Sequence, residues 1–404
     1  MWPEMTRPSL AIDLYSDAAL ADPYLLYRKI RDLGPAVGLT AHDAWAVGRF
    51  DDVRAALRAD DVLVSGHGVG MNDMVNAEGS RITLTTDGEL HRQLRSVLMK
   101  PMMPSSLRAV QAEVEELADR LVADLVRRES FDGIADFARH LPVAIVSRLV
   151  GLPEEGRQRM LEWAKATFDA LGTMNTRGQA ATPLLFEMMR YAVGVERATL
   201  RPEGWAAQLF AAADEGRIEP ADVASMLVDY IAPSDTTILG LGHLLFQLGH
   251  DPEQWAMIRA DPELVPRAID EALRLDAPVR AFSRFAVADY DVAGTTIPRG
   301  ARVLILFASG NRDERRFVDP DRFDVARDAR DHLGFGHGVH RCAGSHVAQL
   351  EMQSLLRAMV ARVATIEVGP PEVGLNNVLY GYRSFRAAFR AEVSMTTTDH
   401  LSAR

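Results

Sequence analysis

Helical periodicity organises most of the chain. Apolar side chains at Tyr24, Leu25, Tyr27, Ile30 and Leu33 recur at three- and four-residue steps and stop before Gly34-Pro35, so 23–33 is read as a short helix closed by a breaker. A strand over 44–47 and a helix around 53–57 follow it. Longer amphipathic patterns cover 107–127, 141–150, 154–171, 184–200 and 202–214, each bounded by Pro, Gly or Asp. They continue at 220–249, interrupted at Pro233, and at 255–275. The period then changes. Segments 284–292 and 302–307 favour strands around a turn at 294–300, a helix runs over 345–363, and 366–394 reads as irregular hairpins. The stretch Ser65-Gly66-His67-Gly68-Val69-Gly70 cannot hold a helix, and with its flanks it makes a loop of about 25 residues, long enough to suggest a functional role. Repeats of about 20–50 residues are absent. The expectation is a mainly α chain with a smaller β region, one body over 11–395 and flexible tails at 1–10 and 396–404.

Composition narrows the class. With 48% hydrophobic and 25% charged residues, the 404-residue chain has apolar material for a large core, which excludes global disorder. A net charge of −11 argues against a nucleic-acid partner. The first ten residues have no apolar signal core, and the most apolar stretch, 226–248, is cut by Asp229, Asp235 and Thr236. Neither secretion nor a membrane span is expected, and a cytoplasmic location follows. The single cysteine, Cys342, cannot form an intramolecular disulfide; taken alone, it is an ordinary small buried residue.

Its neighbours change that reading. Residues 331–344 run Asp-His-Leu-Gly-Phe-Gly-His-Gly-Val-His-Arg-Cys-Ala-Gly, which places the sulfur at a loop-to-helix junction. Free backbone N–H groups and the positive helix end favour thiolate there. The glycines let a bulky flat ligand come close, with Phe335 packing beneath it. Zinc is an alternative, since His337, His340, Cys342 and His346 are acceptable ligands, but four residues in one loop and helix start do not make the paired arrangement of structural zinc. The run Phe335, Gly338, His340, Cys342, Gly344 resembles the haem loop of the cytochrome P450 family, Phe-x-x-Gly-x-(Arg/His)-x-Cys-x-Gly. The resemblance implies that family's single-domain fold and haem b with Cys342 as axial thiolate, which favours O–O cleavage.

Other segments extend the resemblance. Glu271 and Arg274 match Glu-x-x-Arg, which by itself is an ordinary helix-surface ion pair, and the family pattern implies a structural lock completed by Arg322. His91 and Arg95 match His-x-x-x-Arg; with Arg284 and His340 they imply a clamp for the two haem propionates. Ala232-Pro233-Ser234-Asp235-Thr236-Thr237 resembles (Ala/Gly)-Gly-x-(Asp/Glu)-Thr-(Thr/Ser), implying that Thr236 hydrogen-bonds dioxygen and Asp235 relays protons. Without the resemblance it is a Ser/Thr-kinked helix. Pro233 stands where glycine is usual and forces a kink, at a cost of about 3 kcal/mol or more inside a regular helix.

Carry-over by position places the substrate pocket at His67, Val69, Met71, Phe168, Leu171, Tyr230, Ile231, Ala232, Val279, Phe282 and Leu379. Most are apolar, as small-molecule sites are, and core packing stays open as the alternative for each. Residues 68–73 and 311–313 are similar to the family branch that oxidises para-substituted benzoates, implying a small aromatic substrate and oxidative O-demethylation. Yet 227–231 supplies no polar pair for a carboxylate, so either His67 does part of that work or the ligand is neutral. Length and the missing anchor match the family's soluble bacterial branch. The implied activity is a monooxygenase that inserts one oxygen atom of O2 and takes electrons from a 2Fe-2S ferredoxin and its reductase, docked near Arg341. Two alternatives are disfavoured: a catalytically silent haem-fold docking protein of an assembly line by the presence of both Cys342 and the Asp235-Thr236 pair, and a peroxide-driven variant by that acid-alcohol pair.

Overall fold

The computed structural model describes residues 8–78 and 81–392; its long helices form the body and its strands fall into four small sheets. Several helices run as their spacing predicts: Tyr24–Leu33, Pro104–Val126, His140–Val150, Glu154–Leu171 and Ser345–Arg362. Others differ for local reasons. Helix Thr176–Gly194 begins well before 184, because the Asn175 side chain accepts from the Gly178 amide at 3.0 Å and caps an earlier turn, while Pro183 is carried inside the helix. The run 255–275 is two helices, Pro252–Ala260 and Val265–Leu275, separated at Asp261-Pro262. The turn at 294–300 contains a strand, Thr295–Ile297, paired with Tyr290–Val292. Ser9 and Leu10, expected in a tail, pair in parallel with Gly38 and Leu39, whereas 396–404 lies outside the described residues.

The largest sheet has six strands in the order Ser9–Leu10, Val37–Leu39, Ala44–Val47, Arg302–Leu306, Ala281–Ala286, Leu63–Val64. Arg284 stands opposite Val303 in it, and the Ser283 amide donates to the carbonyl of Val69, tying the glycine-rich loop to the sheet. Two large apolar clusters make most of the core, and helix Ser345–Arg362 belongs to both. Its Val347 packs among the residues of Glu154–Leu171, while Met352 and Leu355 pack against Thr236–His250 and Val265–Leu275. Each fully buried Leu or Met contributes about 1.5–3 kcal/mol, so the cysteine-bearing segment is anchored from two sides.

A buried ion pair braces this body. Arg274 Nε and Nη2 donate to the two oxygens of Glu271 at 2.6 and 2.8 Å, with both side chains fully enclosed. The third arginine is not Arg322, which is exposed and offers only its carbonyl, accepting from Arg274 Nη2 at 3.2 Å. Arg327 Nε donates to Glu271 at 3.1 Å instead. The reason is the turn closed by the Arg322 amide on the Asp319 carbonyl, which turns Arg322 outward and brings the chain back five residues later.

Candidate active site

A cavity of ≈ 310 Å³ lies between the cysteine loop and the Asp222–Ile231 and Thr236–His250 helices. On its cysteine side the loop is shaped by backbone geometry. Gly336 and Gly338 have φ of +68° and +74°, and a Cβ at 338 would stand 2.3 Å from the Leu57 carbonyl oxygen. Only glycine fits both conditions. The Cys342 amide closes the loop by donating to the Phe335 carbonyl at 2.8 Å, and Phe335, Cys342, Ala343 and Gly344 face the cavity. The helix start acts on the thiol as its position suggests: the Gly344 and Ser345 amides, with Arg341 and Arg95, pull its pKa down. Burial outweighs them and pushes the thiol up, so the expected thiolate needs a ligand with positive charge.

Beside the cysteine lie two arginines and two histidines, of which Arg284 and His340 are left short of partners by the protein itself. Arg284 is 4% exposed, donates to the carbonyl of Ser283 at 2.8 Å and opens into the cavity; burial lowers its pKa to about 10. His340 Nε2 is buried without a hydrogen-bond partner, 3.8 Å from Asp87, and burial pushes the ring's pKa down to about 4, so the imidazole is neutral. The His91 ring packs on the His340 ring at 4.0 Å and meets the carbonyls of Thr83 (Nδ1, 3.0 Å) and Val339 (Nε2, 3.2 Å). Arg95 donates to the Arg341 carbonyl and lines the same wall. A buried guanidinium with one neutral acceptor is costly unless an anion completes it. A thiol flanked by glycines, with two guanidinium groups and histidine ring nitrogens on one side that the protein only partly satisfies, fits a flat ligand carrying carboxylates and a thiolate-binding metal, as haem does. Zinc does not fit: among the described residues, no group of three or more His, Cys, Asp or Glu side chains is placed to hold a metal ion.

Opposite the cysteine, Pro233 splits the apolar run into α-helix Asp222–Ile231, a 3-10 turn at Ala232–Asp235 and α-helix Thr236–His250. Ala232, Pro233, Ser234, Thr236 and Thr237 face the cavity, and the Thr236 hydroxyl donates to the Pro233 carbonyl at 3.0 Å. Asp235 is outside that lining. Burial raises its carboxyl to about 6 against the pull of Arg139 and Lys165.

Of the carried-over pocket residues, Val69, Phe168, Leu171, Tyr230, Ala232, Val279 and Phe282 line the cavity. Four others do not. His67 is exposed and stacks on Phe285 with ring centroids 4.5 Å apart, held outward because Arg302 grips the carbonyls of His67 and Gly68. Met71 packs against the Tyr27 and Leu39 cluster, and Ile231 and Leu379 turn into the core. The sequence reading missed Ile82, Thr83, Leu84 and Thr85, which cover the cavity, and Asp229, which reaches them. The signal was present at Asp229, an isolated charge in an apolar helix.

Comparison with known proteins agrees with this geometry. A family model described as Cytochrome P450 matches residues 221–366. Cytochrome P450 CYP199A2 of Rhodopseudomonas palustris is 35% identical over 384 residues, 93% of each chain. The 6-deoxyerythronolide B hydroxylase of Saccharopolyspora erythraea is 30% identical over 88% of this chain and 92% of its own. Among solved structures, Mycobacterium marinum cytochrome P450 CYP268A2 in complex with pseudoionone superimposes with a TM-score of 0.83 at 28% identity, covering 96% of this chain and 100% of that one.

Proposed function

The chain belongs to the cytochrome P450 family and is a haem-thiolate monooxygenase; from that premise we propose that it oxidises a small, neutral, largely apolar aromatic compound by hydroxylation or oxidative O-demethylation. Haem, when bound, supplies the dioxygen-splitting chemistry, and a thiolate ligand favours O–O cleavage. Cys342 would hold it, Phe335 would pack against it, and Arg284, Arg95, His91 and His340 would receive its carboxylates. Thr236 Oγ1 carries a proton now given to the Pro233 carbonyl and can turn it toward the cavity, while Asp235 resupplies it from the side of Lys165 and Arg139. Thr236→Ala is expected to retain haem and divert reducing equivalents to peroxide. Unchanged product per NADH removes the assigned role.

The observation that carries the neutral substrate is the wall facing the cysteine. Several of its polar groups are already used within the protein: Thr167 donates to Trp163, Ser234 to Ile231, Tyr230 to Leu98, and the Asn76 amide spans the Gly70 amide and carbonyl. The arginines of the lining, Arg95 and Arg284, sit with His91 and His340 on the cysteine side, and among the described residues no Lys or Arg stands on the opposite wall. A carboxylate there would lose its hydration without a partner. This favours an aromatic ether over a benzoate, although the chain resembles the benzoate-oxidising branch. The test is a pair of low-to-high-spin titrations of the holoenzyme with 4-methoxytoluene and 4-methoxybenzoate, with formaldehyde release as the second readout. Tighter binding and faster turnover of the ether are expected; preference for the benzoate overturns the reading.

Electrons are proposed to come from a 2Fe-2S ferredoxin and its reductase. Arg341, exposed beside Cys342, offers positive charge to an acidic partner on a protein whose net charge is −11. Among the described residues no helix is long and apolar enough to cross a membrane, and a cytoplasmic location is part of the proposal. The silent docking reading is not favoured, given a hydroxylase among the relatives.

A further inference from the structure

Residues 81–85 cross the cavity as a strap with little regular structure, a single 3-10 turn at Thr83–Thr85. Ile82, Thr83, Leu84 and Thr85 all face the cavity, and Ile82 and Leu84 pack on the neighbouring apolar cluster. Apolar contact alone does not fix the register of so short a segment. Two carboxylates seven residues apart, on one face of helix Asp222–Ile231, do. Asp222, 1% exposed, accepts from Arg81 Nε at 2.9 Å and also from Arg81 Nη2, while its other oxygen accepts the Glu219 amide at 3.1 Å. Two turns further on, Asp229 Oδ2 accepts the Thr83 amide at 2.8 Å, and the Leu84 amide also donates to this carboxylate.

The grip has a backbone consequence. Arg81 sits at φ +79°, the left-handed region, which a non-glycine residue occupies only when its surroundings hold it there. The strap is also joined to the cysteine side, since the Thr83 carbonyl takes His91 Nδ1 at 3.0 Å and the Thr86 hydroxyl at 3.0 Å. One helix wall of the cavity is thereby connected through the strap to the helix bearing His91 and Arg95.

We propose that Asp222 and Asp229 form a two-point clamp that holds the 81–85 strap over the cavity, and that this clamp sets how readily a ligand enters and leaves. Both are positioning residues: they act through the strap. Charge-assisted hydrogen bonds to backbone amides are among the stronger local restraints, and loss of one opens a segment locally while the rest of the fold stays closed. The inference rests on the geometry and is independent of which substrate is oxidised.

The test uses haem-loaded wild type, Asp229→Asn, Arg81→Gln and Arg81→Lys. Amide hydrogen exchange is read over peptides covering 81–86, and the entry and exit rates of 4-phenylimidazole are read by the Soret shift. In Asp229→Asn the strap amides are expected to exchange about tenfold faster or more, with both azole rates rising and exchange elsewhere unchanged. Arg81→Gln, which leaves the cavity lining intact, should show the same signature more weakly, and Arg81→Lys should restore part of it. Unchanged strap exchange, or acceleration spread over the whole molecule, overturns the proposal, as do azole rates that stay at the wild-type value in a variant whose strap exchange has risen. If Asp229→Asn does not accumulate as folded protein, the Arg81 pair decides alone.

Discussion

The two sides of the cavity were written into the chain in different ways. Around Cys342, Phe335, His340, His91, Arg95 and Arg284 come from three separate segments, and all face one space. On the opposite wall, His67, Met71, Ile231 and Leu379 leave the set that positional matching had assembled. The cysteine side is held by backbone requirements: a positive φ at Gly338, a carbonyl 2.3 Å from any Cβ there, and an amide that must reach Phe335. Such requirements restrict residue type at fixed spacing, so they survive as a pattern. The far wall is built from side-chain directions on elements that meet only after folding, and no local spacing records those.

Removing the sulfur is the most severe way to break this contrast. Cys342→Ala is expected to lose monooxygenation and the strongly red-shifted Soret band of the reduced carbon monoxide complex. Retention of that band would assign the ligand elsewhere. Gly338→Ala probes the backbone requirement without touching the sulfur: strain at φ +74° plus the clash with Leu57 should cost about 3 kcal/mol or more. A lower Tm with lower haem content per chain is the expected result, and wild-type values for both would show that the loop is not held by its glycines.

The Glu271 lock sharpens the contrast inside the scaffold. Its first two members share a helix at fixed spacing, so they were legible. The third was assigned to Arg322 because position along the chain was the sole guide, and a turn of the backbone decided for Arg327. Arg327→Ala should cost about 1.5–3 kcal/mol, the worth of a hydrogen bond to a buried charge, while Arg322→Ala should stay within about 0.5 kcal/mol of wild type. Thermal or urea unfolding of the two variants separates the assignments. The same limit explains the helices. Glu154–Leu171 could be read to its ends because its apolar stripe and its Pro and Gly boundaries agree, whereas Thr176–Gly194 hides its start behind a side-chain cap and an internal proline. The helix Gly88–Met99 places His91 and Arg95 correctly relative to each other, but their meeting with Arg284 depends on a strand almost two hundred residues later.

The gentlest change tests the far wall itself. Phe168 is 6% exposed and stacks with Phe282 at 6.4 Å, so truncating it removes part of the apolar surface on which a small aromatic ligand would lie. His67, by contrast, is stacked on Phe285 outside the cavity, with Arg302 beside the same ring. Phe168→Ala should raise the dissociation constant of 4-methoxytoluene about tenfold, the usual worth of one apolar contact in a pocket, whereas His67→Ala should change it by less than about twofold. Spin-state titration of the two variants measures both. A marked loss in His67→Ala would mean that the glycine-rich loop can turn this ring inward when ligand binds, and a carboxylate-bearing substrate would then regain the one anchor that its present position denies.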